Sequence, residues 1–215
     1  MELRLDILTR MIKTFYLLKS GFNVLLLTIL VLVSLSCSSN DMESSTEAST
    51  TQPNDVPQTS ESISEIIFQN GFKEFSEALQ YVDEEIYTAL VEIFDTGTEP
   101  HTVFIPSDEA FYRLYECLGM KTEDISEIDN PGLVRDILLY HVVRERYTLE
   151  SLIKSNQDTE VKAFYGEFLT VKSDGRIESI VNSSFIDVNQ SDKFASNGIV
   201  HVINDVLLPI EISCK

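Results

Sequence analysis

The chain has 215 residues, and 35 Asp and Glu against 16 Lys and Arg give it a formal net charge of -19. So acidic a surface repels phosphate backbones and anionic headgroups, which all but excludes nucleic-acid binding by charge neutralisation and disfavours direct adhesion to acidic lipid. Three Cys and no Trp exclude a small disulfide-built scaffold, and the length suits one or two domains.

The charge is uneven along the chain. Residues 1–36 carry Arg4, Arg10, Lys13 and Lys19 against Glu2 and Asp6, so the part from Cys37 onward stands at -21. An apolar run from Val24 to Val33 is broken only by Thr28, and it is shorter than the ~20 residues a membrane-spanning helix needs. Basic residues precede it and small residues end it, which is the layout of a secretory signal peptide over residues 1–36. Met11, followed by Ile12 and Lys13, opens a more typical signal than Met1. The signal ends in Leu35-Ser36-Cys37-Ser38-Ser39, which resembles the lipobox of bacterial lipoproteins, with Ser34 where Leu is usual. The resemblance implies lipid attachment at Cys37, and several acyl chains at ~0.8 kcal/mol per buried methylene anchor a protein stably. Ser38 after the Cys implies outer-membrane sorting, on the periplasmic or the surface-exposed side. The alternative is an ordinary cleaved signal with an incidental Cys. Residues 38–60 are Ser, Thr, Asn, Asp, Glu, Gln and Pro with almost no large apolar side chains. They cannot bury enough surface to offset ordering, so residues 37–60 read as an acylated Cys and a disordered tether with a reach of roughly 25 Å.

Residues 61–211 read as one domain. Ile63, Ile66 and Ile67 mark a short helix before Gly71. Phe72, Phe75, Leu79 and Val82 share one face of the next. Ile86, Leu90, Ile93 and Phe94 predict a third, ending near Gly97. Thr102 to Ile105 is a short strand stopped by Pro106. Ser107 is a natural N-cap, with Asp108 and Glu109 in the first turn where the helix dipole favours anions. Ala110, Phe111, Leu114, Tyr115 and Leu118 form the buried stripe of that helix, and Gly119 ends it. Asn130 and Pro131 open the next helix. Strands follow at Val161 to Tyr165, Phe168 to Lys172, Ile177 to Val181, Phe185 to Val188 and Ile199 to Ile203, with a hairpin turn at Asp174-Gly175. Helices first and a sheet afterwards predict an α+β fold.

Three segments carry a family resemblance. Residues 102–111, Thr-Val-Phe-Ile-Pro-Ser-Asp-Glu-Ala-Phe, resemble the first signature of fasciclin-like domains. Leu138 to Val143 with Arg146-Tyr147-Thr148 resembles the central Tyr-His segment, and Ser196 to Ile203 with Val206 to Pro209 the second signature. The resemblance implies a wedge of β-strands flanked by helices, with the two signatures as neighbouring central strands. It also implies a partner-binding role for Tyr140 and His141, although their place after a strongly apolar helix favours a structural one. Ile105 stands where the family has a small Ala. Arg144-Glu145 replaces a Pro-Gly turn, and Lys193-Phe194 replaces a short apolar residue.

The residues predict no catalytic, metal or cofactor site. His101, His141 and His201 lack the i, i+4 spacing of a zinc protease, and no Cys pair is close enough for a zinc knuckle. His201 reads as a buried, hydrogen-bonded core residue. Ser107 lacks the Gly-x-Ser-x-Gly elbow of a nucleophile. Asp83-Glu84-Glu85 lacks the alternating ligands of a calcium loop and reads as a solvated helix start. Cys117 and Cys214 are free to pair or not. The sequons at Asn182 and Asn189 read as chance. The expected function is a non-enzymatic adhesion module of a cell-envelope lipoprotein, binding an envelope or matrix protein or polysaccharide and touching membrane through its lipid alone. The alternatives are a hydrolase with an unrecognised site and a purely structural periplasmic lipoprotein.

Overall fold

A computed structural model describes residues 59–97, 99–121, 124–154 and 157–214. The signal segment, Cys37 and the tether up to residue 58 lie outside the described residues.

Helix α1 (Ile63–Gln69) starts at a capping box. The Ser62 side chain accepts from the Glu65 N–H, and the Glu65 carboxylate accepts from the Ser62 N–H at 2.7 Å. Helix α2 (Lys73–Ile86) buries Phe75, Ala78, Leu79 and Val82 at helical spacing. Ile86 was expected to open a third helix, but it closes α2. Helix α3 (Leu90–Thr96) begins only after Tyr87 and Ala89, both at positive φ. Asp83 therefore sits near the end of α2 instead of at a helix start. Its carboxylate accepts from the Leu90 and Val91 N–H groups at 2.9 and 3.0 Å and from the Thr88 hydroxyl. It satisfies the first donors of α3, whose own N-cap, Ala89, offers no side-chain acceptor.

Strand β1 (His101–Pro106) is buried throughout, and Ser107 caps α4 (Asp108–Leu118) by accepting from the Ala110 N–H at 3.3 Å. Asp108 does more than favour the dipole of α4, because it accepts from the Glu74 N–H of α2 at 3.0 Å. A 3-10 turn at Ile125–Glu127 leads to α5 (Pro131–Tyr140), capped by Asn130 with Pro at its start. After it come β2 (Val142–Arg144), the one-turn α6 (Leu149–Leu152), β3 (Thr159–Lys162), β4 (Phe168–Val171), β5 (Arg176–Glu178), β6 (Ser183–Phe185), β7 (Lys193–Ala195) and β8 (Gly198–Ile203).

The strands form two four-stranded sheets, ordered β2-β1-β8-β7 and β3-β4-β5-β6. β1 and β8 are parallel and central, so the two signature segments are neighbours. Every other pair is antiparallel. Single bridges, Val143 to Ala163 and Ile186 to Ile203, join one sheet to the other. One apolar core fills the space between the helices and the first sheet, and a second lies around Phe104, Tyr140, Leu169 and Ile177. The fold is α+β, with helices over strands. Several strands differ from expectation: Val161–Tyr165 is shifted to Thr159–Lys162, and Ile177–Val181 to Arg176–Glu178. The Phe185–Val188 strand is shifted to Ser183–Phe185, because Asp187 accepts from the Asn189 N–H and turns Val188–Gln190 into a 3-10 helix. Lys193-Phe194 lies in an edge strand, β7.

Cys117 at the end of α4 is bonded to Cys214 in the tail, 97 residues later, with the Cα atoms 4.6 Å apart. No helix among the described residues is long and apolar enough to cross a membrane.

Candidate partner-binding site

Tyr140 ends α5 and His141 is its C-cap, so both side chains turn inward where the chain enters β2. Both are 0% exposed. The Tyr140 hydroxyl donates to the Phe168 carbonyl at 3.3 Å and accepts from the Ile180 N–H at 3.1 Å. His141 Nδ1–H donates to the Ile137 carbonyl at 2.8 Å, and Nε2 accepts from the Leu207 N–H at 3.0 Å. These partners fix one neutral tautomer. Burial pushes the pKa of His141 down to about 4, and the Ile137 bond opposes that only in part. The Tyr-His segment thus ties α5 to the second sheet and to the Val206–Pro209 segment. A partner docking here meets the neighbours of these rings, not the rings themselves.

His201 of β8 is equally committed. Nε2–H donates to the Tyr147 carbonyl at 2.8 Å, Nδ1 accepts from the Asp192 N–H at 3.3 Å, and Phe104 stacks on the ring. Burial lowers its pKa, against the Tyr147 bond and the nearby Asp192 carboxylate. His101 of β1 packs on Phe164 at 5.1 Å between ring centroids, and burial, with Arg144 second, lowers its pKa. Its Nδ1 is buried with no hydrogen-bond partner among the described residues. The three His are not brought together, and no group of His, Cys, Asp or Glu among the described residues could hold a metal ion.

The second signature has a structural reading too. Asn197 accepts from the Ile63 N–H at 2.9 Å and donates to the Phe94 carbonyl at 2.7 Å, pinning α1 and α3 to the sheet. A Cβ on Gly198 would lie 2.1 Å from the His101 carbonyl oxygen and 2.6 Å from Ile63 Cδ1, so no other residue fits beside β1.

The surface feature that motif reading missed lies just past β2. Glu145 has φ 71° where the family turn places Gly. Thr102 Oγ1 donates to the Glu145 carbonyl at 2.8 Å and accepts from the Tyr147 N–H at 2.9 Å, which holds the turn. Between this turn and the β3–β4 connection opens a cleft of about 460 Å³, lined by Arg144, Glu145, Tyr147, Lys162, Phe164 and Gly166. The Arg144 guanidinium stands 4.6 Å from the Phe164 centroid, and Lys162 Nζ stands 5.7 Å from that of Phe168. Tyr147 donates its hydroxyl to Glu145 at 3.1 Å. The only sequence signal for the cleft was the Arg144-Glu145 departure from the family turn.

Comparison with known proteins gives one family, the fasciclin domain, whose model matches residues 70–209. Protein sll1483 of Synechocystis is 37% identical over 111 residues, which are 51% of this chain and 56% of that protein. The fasciclin-like arabinogalactan protein CTB11 of Cercospora beticola is 28% identical over 68% of this chain and 34% of its own length. Mouse Stabilin-2 is 29% identical over 53% of this chain, a match that takes in 4% of Stabilin-2.

Proposed function

The chain belongs to the fasciclin domain family, and from that premise we propose that it is a non-enzymatic adhesion module, anchored at an outer membrane through Cys37 and binding an envelope or matrix protein or polysaccharide. One observation carries the reading. The polar side chains of the family segments, Tyr140, His141, Asn197 and His201, spend their hydrogen-bonding groups inside the domain. They build a scaffold, and recognition then falls to surface groups that the scaffold positions. A hydrolase would instead leave such groups free to act on a substrate.

The test is capture of envelope and matrix fractions on the purified full-length protein at physiological salt. A saturable, specific component is the expected result. Failure to capture anything, together with turnover of an ester, peptide or glycoside substrate, sinks the module reading. Anchoring is checked separately: Cys37→Ala should leave the membrane fraction or stall in processing. Unchanged membrane association and processing would remove the lipid anchor from the proposal.

A further inference from the structure

We propose that the cleft between β2 and the β3–β4 connection binds an anionic glycan, whose carboxylate or sulfate groups pair with Arg144 and Lys162. This rests on the binding-module reading and gives it a ligand class and a site.

The first observation is a like-charge pair. The single antiparallel bridge between Val143 and Ala163 brings their chain neighbours Arg144 and Lys162 to one place, and both line the cleft. Like charges gathered at one cleft repel each other. The chain has 35 carboxylates available for compensation. Other lysines use them: Lys73 pairs with Glu74 and Glu77, and Lys172 with Asp158 and Glu178. Among the described residues no carboxylate lies within salt-bridge distance of Lys162, and Arg144 has only the exposed Glu99 at 3.4 Å. Two cations beside a cleft, Lys162 without a carboxylate partner and Arg144 with only an exposed one, are complementary to an anion.

The second observation is how the cations are held. Phe164 is wedged between His101 and Arg144, and Phe168, 54% exposed, lies under Lys162. The Phe164 face, itself in the cleft lining, holds the Arg144 head there, and Lys162 has a looser contact with Phe168 beside the cleft. Phe168, outside the lining but next to Lys162, offers an exposed apolar face that suits the C–H face of a sugar ring extending past the cleft. The Glu145 carboxylate on the rim accepts hydroxyl protons, as it does from Tyr147, and a sugar supplies hydroxyls in plenty.

An acidic peptide fits less well. Peptides that bind sheets do so by adding a strand at a free edge. Here the nearby backbone donors are used: Phe164 N–H to the Val142 carbonyl at 2.8 Å, Tyr165 N–H to Leu139 at 3.2 Å and Glu145 N–H to Pro100 at 2.9 Å. The cleft volume lies in the range of small-ligand sites, enough for a short run of sugar units.

The experiment is titration of the full-length protein with fluorescent oligogalacturonate, a sulfated galactan oligosaccharide, a neutral galactan oligosaccharide and poly-glutamate. Binding of either anionic glycan, but not of the neutral one, is expected. The two anionic arms show whether the acid is a carboxylate or a sulfate. Lys162→Gln and Arg144→Gln should each weaken binding by about tenfold, with Lys172→Gln as a charge control that leaves it unchanged. Unfolding midpoints confirm that the variants fold. Lys162 is exposed, so its variant keeps the test valid if Arg144→Gln loosens the Phe164 stack. The proposal is overturned if neither anionic glycan binds, if the neutral glycan or poly-glutamate binds as tightly, or if Lys162→Gln has no effect. If the captured component of the preceding test still binds Lys162→Gln normally, the module reading survives and the cleft assignment falls.

Discussion

His141 shows how a single side chain couples folding to pH. The unfolded chain takes up this proton near pH 6.5, whereas the folded one does so only near pH 4. Its contribution is therefore fully present above about pH 6.5 and is lost as pH falls toward 4. His201 and His101, whose pKa values are also lowered by burial, act in the same direction. Urea midpoints measured from pH 7 to pH 4.5 should fall, and the fall should be shallower in a His141→Gln variant. A midpoint flat across that range would contradict the buried neutral ring. At pH 7, His141→Ala should cost more than His101→Ala. The first strands the Ile137 carbonyl and the Leu207 N–H, about 1–3 kcal/mol before any cavity is counted, while Nδ1 of the second has no partner to lose. Apolar neighbours in the sequence mark His201 as a core residue and favour a structural role for His141, beside the partner-binding role the resemblance implies. The partners themselves, Leu207 and Tyr147, lie 66 and 54 residues away, a separation no local pattern reports.

At the scale of elements, the strands and caps that depend on neighbouring residues were readable, and the breaks without Gly or Pro were not. Ser107, Asn130 and the β1 and β8 segments stand where sequence places them. The end of α2 does not, because Tyr87 and Ala89 adopt the left-handed conformation that non-glycine residues avoid, and the apolar period runs through Ile86 unbroken. Glu145 is the same case at the β2 turn. Relieving it should help: Glu145→Gly is expected to raise stability by up to about 1 kcal/mol, read as a higher denaturant midpoint. A drop would mean that the contact with Tyr147 outweighs the backbone. The converse holds at Gly198, where a methyl group has nowhere to go. Gly198→Ala should part β1 from β8 at a cost of roughly 3 kcal/mol, with a matching loss of amide-exchange protection in both strands. The cleft was least legible of all. Its residues come from two sheets, and only the bridge between Val143 and Ala163 sets Arg144 against Lys162.

For the whole molecule, the one long-range tie that sequence left open is the bond between Cys117 and Cys214. Neither position revealed that a tail residue returns to the end of α4. Closing a loop of 97 residues restricts the unfolded chain by about 4.7 kcal/mol in the loop-entropy account. Cys214→Ser should therefore unfold at a clearly lower denaturant concentration, and a reductant should bring the wild type down to the same value. Coincident midpoints for oxidised wild type and variant would show that the bond adds nothing.

The same bond makes the two ends of the described domain unequal under tension. Force arriving through the segment after β8 passes across a covalent link into α4, so it cannot peel β8 away from β1 strand end first. Force arriving ahead of α1 meets non-covalent fastenings: the Ser62 and Ser64 hydroxyls donating to Asp95 at 3.3 and 3.0 Å, the Asn197 side chain, and the Ser196 N–H bonded to the Glu61 carbonyl at 2.7 Å. A domain loaded between its amino-terminal side and a ligand in the cleft should yield by shedding α1 first, while the β1–β8 pair that supports the cleft stays intact.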